Sequence, residues 1–397
     1  METSRSAQSF DVARARAETP GCERVVHFNN AGASLMPQVV LDAVTNHLHN
    51  EALLGGYEAA DAADAAIDMV YQAAAALLGC AADEIAIVEN ATRAWDMAFY
   101  SIPFAPGDRI LTARAEYASN YLAFLQVARR TGAVVEVIPN DEYGQASVEA
   151  LRNMLDDRVR LIAITHVPTN GGLVNPAAAI GTVAREAGIC YLLDACQSVG
   201  QLPIDVQAIG CDILSATGRK YLRGPRGTGL LYVRRAWIER LEPPLIDLHA
   251  ATWTASDSYT LRPDARRFEN WESNVAGKIG LGVAIDYARG WGMDAIWSSV
   301  SEQAARLRSA LQALPGVTVH DLGQVQCGIV SFTVAGHDAR AVREALLAQQ
   351  INVSTSSLFS TRLDMAARGL NTLVRASVHY YNTDAEIERF CAALANL

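Results

Sequence analysis

Two neighbouring stretches decide how the chain reads: YLLDACQSVG, from Tyr191 to Gly200, and CDILSATGRKYLRGPRGTGL, from Cys211 to Leu230. Each begins as a short apolar run of the kind buried on both faces of a parallel sheet, and each ends in small and polar residues. In the second, Gly224, Gly227 and Gly229 mark a loop, and Lys220 stands between Gly218-Arg219 and Tyr221. Outward from this pair, DRILTARAEY, AVVEVIPN, VRLIAITHV and TGLLYVRR repeat the apolar pattern, with helical segments such as NYLAFLQVARRTG and NPAAAIGTVAREAG between them. Strands interleaved with helices predict an α/β fold whose large domain has a mostly parallel sheet covered by helices on both faces. Ligands of such sheets bind at the carboxyl ends of the strands. Glu116-Tyr117, His166-Val167-Pro168-Thr169, Asp194-Ala195-Cys196-Gln197 and Thr217 to Lys220 each lie just past a strand, so they are expected to converge on one crevice.

A lysine at such a position does chemistry as an amine that forms a Schiff base with a carbonyl, which is the chemistry of pyridoxal phosphate (PLP) enzymes. The site would also need an acidic partner for the cofactor's ring nitrogen, and Asp194 ends the preceding apolar run. Taken alone, Lys220 also fits a solvated lysine beside a loop. Upstream, EIAIVENATRAWDMAFYSI (Glu84 to Ile102) reads as a strand, a small polar turn and a helix start, an arrangement that cradles a phosphate with free backbone N–H groups.

With 397 residues the chain exceeds what one core supports, so two domains are expected. A net charge of -10 argues against nucleic acid and anionic membranes, leaving a small-molecule substrate. The seven cysteines are scattered and form no C-x-x-C pair, which suits a reduced compartment and neither a disulfide framework nor a structural zinc site. His47 and His49 fall on different faces of their helix, so no metal site is expected. No apolar run approaches the length of a signal core or a membrane span, and the protein is expected to be cytoplasmic. Residues 1–30 read as an N-terminal arm packing on the smaller domain, 31–285 as the large cofactor-binding domain, and 286–397 as a smaller α+β domain. The long connection EPPLIDLHAATWTASDSYTLRPDARRF, Glu242 to Phe268, is expected to be ordered and packed because of its aromatic content.

From FNNAGASLMP to RASVHYYNT the chain resembles the class V aminotransferases among fold-type I PLP enzymes, a group that includes cysteine desulfurases, isopenicillin N epimerase and kynureninase. The resemblance rests on the spacing of D-A-C-Q (Asp194 to Gln197) before T-G-R-K (Thr217 to Lys220) and G-P-R-G-T-G (Gly224 to Gly229). It implies that Lys220 forms the Schiff base and shuttles the proton, that Asp194 bonds the ring nitrogen, and that Gln197 donates to the phenolate oxygen. Tyr117 would stack on the ring where cysteine desulfurases carry a histidine. Ala91, Thr92 and Arg93 match the phosphate turn, Thr217 and Arg219 also face the phosphate, and Ser273 would reach the phosphate of the neighbouring subunit in a homodimer with active sites at its interface. Arg375 matches the substrate-carboxylate arginine, with Asn30, Gly32, Thr169 and Asn170 nearby.

Cysteine desulfurases carry a nucleophilic cysteine in a loop that here reads NVSTSSLFSTRLDMAARG, with Phe359 near the expected place and no cysteine between Cys327 and Cys391. The segments Ser360 to Asp364 and Arg375 to Thr383, with R-K-Y-L-R-G-P-R-G-T-G, look most like the ergothioneine-pathway branch, whose enzymes cleave hercynylcysteine sulfoxide. The reading is thus a PLP-dependent C–S lyase acting on a cysteine-type amino acid or its conjugate or sulfoxide. An epimerase or aminotransferase using the same machinery is the alternative, and a non-catalytic PLP-binding protein is a more distant one.

Overall fold

A computed structural model describes residues 10–397, so the first nine residues of the expected N-terminal arm lie outside the described residues. The central sheet has seven strands. From one edge to the other they are Ile85–Val88, Gly229–Val233, Ile213–Thr217, Cys190–Asp194, Val159–Thr165, Arg109–Ala113 and Val134–Ile138. Only Gly229–Val233 runs antiparallel to its neighbours; the remaining pairings are parallel. This is the mostly parallel α/β sheet that the apolar runs predict.

The runs are continuous rather than alternating because each strand feeds two cores. Leu111, Ile162, Leu193 and Leu214 enter one buried cluster, whereas their chain neighbours Ile110, Leu161, Leu192 and Ile213 enter the cluster on the opposite face. Successive side chains of a strand point to opposite faces, so a sheet covered by helices on both sides needs apolar residues at every position. The register sets Asp194 beside Thr165 on one side and Ser215 on the other, which brings the carboxyl ends of three strands level.

The smaller domain is built on a four-stranded antiparallel sheet in the order Val317–Val319, Ile329–Val334, Thr372–Ser377, Ser354–Ser357. Its core takes Val26 and Phe28 from the N-terminal segment, and Val26–His27 pairs in parallel with Ile351–Asn352. Helix Val275–Trp291 packs on helices Gln38–Leu54 and Asp64–Leu78 of the large domain, and helix Met293–Gln312 packs on Asp384–Ala395 of the small one. The chain passes between them at Gly292, whose φ of +85° is left-handed. The division expected at 285 therefore falls inside a helix.

Two loops differ from a plain connection. The Gly-rich loop is stitched from within by Arg223, which is 1% exposed and left-handed at φ +61°. Its guanidinium donates to the Leu35 carbonyl at 2.8 Å, to the Tyr380 hydroxyl at 2.7 Å and to Thr19 Oγ1, joining the N-terminal segment, the loop and the small domain. The connection from Glu242 to Phe268, expected to be packed, instead projects a hairpin of Ala251–Ala255 and Ser258–Leu261. Trp253 on that hairpin is 80% exposed and Leu248 before it 71%, so its aromatic content faces outward in the isolated chain. No described helix is long and apolar enough to cross a membrane.

Candidate active site

A cavity of about 160 Å³ opens at the carboxyl edge of the central sheet. Lys220 follows the strand Ile213–Thr217 and lines it, half-buried, with Nζ 3.7 Å from Cys196 Sγ and in no ion pair among the described residues. Burial lowers the proton affinity of its amine, with the Cys196 thiol opposing this. Asp194, at the end of the adjacent strand, is 6% exposed. Its Oδ1 accepts from the Cys196 amide at 2.9 Å and its Oδ2 from Asn120 Nδ2 at 2.9 Å. Burial raises the Asp194 pKa while these two donors and Lys220 lower it. On the opposite wall, Asn90 caps helix Ala91–Phe99 by accepting from the Arg93 amide at 2.9 Å. That leaves the helix's first amides, at Ala91 and Thr92, at the cavity wall, where a helix start has N–H groups without intrahelical partners.

Gln197, Thr217, Tyr117 and Thr169 line the same cavity. Gln197 donates from Nε2 to the Ala31 carbonyl at 3.1 Å, and its buried Oε1 has no partner. Tyr117 is the N-cap residue of helix Ala118–Thr131 and is 37% exposed at the mouth. Arg219 lines the cavity too, but its Nη1 reaches the Gly32 carbonyl at 2.6 Å, so its guanidinium is directed at the N-terminal segment as well as the cofactor side expected of it. Arg375, on strand Thr372–Ser377, donates from Nη1 to the carbonyl and hydroxyl of Thr169, while its Nε is buried without a partner. Burial pulls this guanidinium down to about 10, and no carboxylate pairs with it among the described residues.

Four expected site residues stand elsewhere. The Arg93 side chain turns away, its Nη2 3.3 Å from Asn270 Oδ1, because its place in the helix's first turn leaves only its amide near the turn. Asn30 is a structural strut: Nδ2 donates to the His27 and Ser377 carbonyls at 3.2 and 2.7 Å, and Oδ1 accepts from the Tyr381 hydroxyl, which leaves no donor for a substrate. Asn170 ties the large domain to the loop of the small one, donating to Thr361 Oγ1 at 2.6 Å. Ser273 lies outside the cavity, in a surface depression beside the exposed Tyr57 and Trp271. Gly32 meets the site only through its carbonyl, on Arg219.

Sequence reasoning left out Asn90, Asn120 and Thr165 as lining residues, whereas Val167 and Cys196 stand in stretches expected to converge there. Asn120 lies in the first turn of helix Ala118–Thr131, just past the Glu116-Tyr117 pair that was expected at the crevice. Cys196 lay inside the quoted D-A-C-Q run. The H-Y-Y-N segment, part of one of the three segments behind the ergothioneine-branch reading, is not in the cavity: His379, Tyr380, Tyr381 and Asn382 are buried between the domains, with His379 Nε2 3.0 Å from the Tyr221 carbonyl.

The residues present fit pyridoxal phosphate. A half-buried amine without a counter-ion among the described residues, a buried carboxylate at the next strand end and a helix start in the cavity lining are the complements of its aldehyde, ring nitrogen and phosphate. A parallel α/β sheet with a lysine and a carboxylate at adjacent strand ends defines a cofactor-dependent enzyme of this class. The chain belongs to the aminotransferase class-V family, whose model matches residues 26–390. A probable cysteine desulfurase of Xylella fastidiosa is 33% identical over 405 residues, covering 97% of this chain and 95% of that protein. Among solved structures, the apo cysteine desulfurase of Thermococcus onnurineus NA1 superposes with a TM-score of 0.90 at 26% identity, covering 98% of each chain. The cystine C–S lyase C-DES, in complex with its reaction product cysteine persulfide, gives 0.86 at 27% identity, covering 96% of this chain and 99% of its own; a C-DES mutant carries glycine covalently linked to its PLP cofactor. The names these relatives carry are those of desulfurases and a cystine lyase, which does not support the expected placement in the ergothioneine-pathway branch.

Proposed function

We propose that this chain is a PLP-dependent enzyme that cleaves the C–S bond of a cysteine-type amino acid by β-elimination. The observation that carries the reading is the unpaired Lys220 amine lining one cavity with Asp194. Bound in the cavity, the cofactor would supply a sink for the electron pair left at the substrate α-carbon. Lys220, its proton affinity lowered by burial, takes the α-proton and passes it to the sulfur that leaves with the C–S electron pair. Asp194, held by Asn120 and the Cys196 amide, would take the ring nitrogen. Arg375 receives the substrate carboxylate in its unfilled donor positions and fixes the orientation of the α-carbon.

Elimination, rather than sulfur transfer to the protein, is favoured by the loop beside Tyr117. The Ser360 carbonyl accepts from the Ala118 amide at 3.0 Å, so the loop borders the mouth, and the residue before Ser360 is Phe359, not a cysteine. The thiol inside the cavity, Cys196, has its pKa raised chiefly by burial, which makes it a poor nucleophile. Incubating the PLP-loaded protein with cysteine, cystine and cysteine S-conjugates tests this: elimination releases pyruvate, ammonia and a sulfur fragment. Alanine with sulfur left on the protein would instead show a desulfurase, and racemised substrate or a keto acid would show an epimerase or aminotransferase.

Arg375→Met should lower kcat/KM roughly 10²-fold, mostly through KM, because truncating one partner of a buried charge pair costs about 2–5 kcal/mol. Steady-state kinetics on the variant checks this, and an unchanged KM would remove Arg375 from the substrate site. A second copy of the chain is the occupant we assign to the face carrying Tyr57 and Trp271, with Ser273 between them, and sedimentation should return a dimer; a monomer at working concentration would refute the shared-site arrangement.

A further inference from the structure

One buried carboxylate beside the cavity has no part in the reaction as described. Glu116 follows the strand Arg109–Ala113 and is 4% exposed. It accepts from Thr112 Oγ1 at 3.0 Å, from the amides of Tyr117 and Thr165 at 3.1 Å each, from the Thr165 hydroxyl, and from Asn120 Nδ2 at 2.8 Å. Every partner is a donor, the set that a carboxylate anion satisfies. The same Asn120 nitrogen donates to Asp194 Oδ2 at 2.9 Å. One side-chain amide therefore bridges two buried carboxylates, and neither carboxylate is in an ion pair among the described residues.

We propose that Glu116 is a positioning residue: through Asn120 it holds the Asp194 carboxylate in place, and its own charge sets how firmly Asp194 keeps a proton on the cofactor's ring nitrogen. The inference rests on the PLP reading above. An amide has a donating and an accepting edge, and with a carboxylate on either side only the NH2 edge fits; a flip would set Asn120 Oδ1 against Asp194. A negative charge behind Asp194 also favours the protonated ring. Burial pushes Glu116 up to about 7, against the lowering by Thr165 and Asn120, so this charge changes within the working range. The titratable groups facing Glu116 are Asp194 and the Tyr191 phenol, both on strand Cys190–Asp194 and both raised by burial, with Lys220 beyond Asp194. Helix Ala118–Thr131 and strand Val159–Thr165 present only the neutral Asn120 and Thr165 to it. Glu116 and Asp194 accordingly titrate as a coupled pair.

The sign follows. As pH rises through about 7, Glu116 gains its charge, the ring nitrogen holds its proton more firmly, and kcat rises. In the cofactor-free protein the folded state holds the Glu116 proton above its ordinary value of 4.5, so folded stability falls with rising pH between about 4.5 and about 7. The test compares wild type, Glu116→Gln and Asn120→Ala in three readouts: PLP affinity by titration, the pH profile of kcat and of the visible absorbance, and the pH slope of cofactor-free stability. The expected result for Glu116→Gln is a flat kcat profile about tenfold below wild type above neutrality, weaker PLP binding, and a shallower stability slope. Asn120→Ala, with Glu116 in place, should lose the same step in kcat and absorbance. A Glu116→Gln protein with the wild-type step and wild-type PLP affinity overturns the proposal. If that variant does not fold, an Asn120→Ala protein with the wild-type step overturns it equally. Wild-type protein that binds no PLP would sink the functional reading, whereas PLP-binding wild type matched by both variants sinks this inference alone.

Discussion

Replacing Lys220 with alanine should reduce turnover by about 10⁴-fold or more and abolish the visible absorbance of the lysine-bound cofactor. No other amine can take over. Among the described residues the other basic side chains here are guanidiniums, Arg219 in the cavity lining and Arg375 behind Thr169, and neither offers an amine. The variant should still fold, because Lys220 makes only a 3.7 Å contact to Cys196 Sγ and is in no ion pair. Removing a half-buried amine without a charge partner relieves part of a desolvation cost rather than breaking a partnership. Thermal denaturation separates loss of chemistry from loss of fold, and the absorbance of the loaded variant identifies the lysine. A variant that keeps both turnover and the wild-type absorbance would overturn the assignment of Lys220 and with it the proposed reaction.

The second large effect is expected at Asp194. Asp194→Asn keeps the size of the side chain but removes the charge facing the cavity, and it places an NH2 group among partners that are themselves donors, Asn120 Nδ2 and the Cys196 amide. Losing one member of a buried charge pair costs about 3–5 kcal/mol, so kcat should fall roughly 10²- to 10³-fold and PLP should bind more weakly. Equilibrium titration with PLP and single-turnover rates check this. If the variant retains the wild-type rate, the ring nitrogen does not depend on this carboxylate.

Much of the fold was legible because a doubly covered sheet imposes a pattern that local sequence cannot hide. Leu192-Leu193 and Ile213-Leu214 are apolar in tandem because one residue of each pair feeds each core. The residues just past those strands were legible as a group for the same reason, since parallel strands present their carboxyl ends on one edge. Side-chain direction was not legible. Arg93 and Thr92 are adjacent in a matching turn, yet the guanidinium of Arg93 leaves the cavity for Asn270. Asn30 sits in a segment that reads as substrate-lining but spends all its hydrogen-bonding capacity on His27, Ser377 and Tyr381. The segment Arg375 to Asn382 splits between roles: Arg375 reaches the cavity wall through Thr169, whereas His379 to Asn382 hold the domains together. The exposed hairpin around Trp253 shows the limit in the other direction, because aromatic content does not say whether the partner surface lies within the chain.

By itself, the sequence determined the α/β class, the order of strands along the chain, the lysine and aspartate at adjacent strand ends, and the absence of a cysteine from the loop around Phe359. Periodicity and composition are local, and strand ends follow from them. Only the tertiary structure decided which polar side chains meet: that Asn120 bridges Glu116 to Asp194, that Arg375 is left with unfilled donors, and that Arg219 reaches back to Gly32. Those contacts join residues from different strands, helices and domains, and their geometry is set by sheet register and by burial, which no stretch of sequence contains on its own.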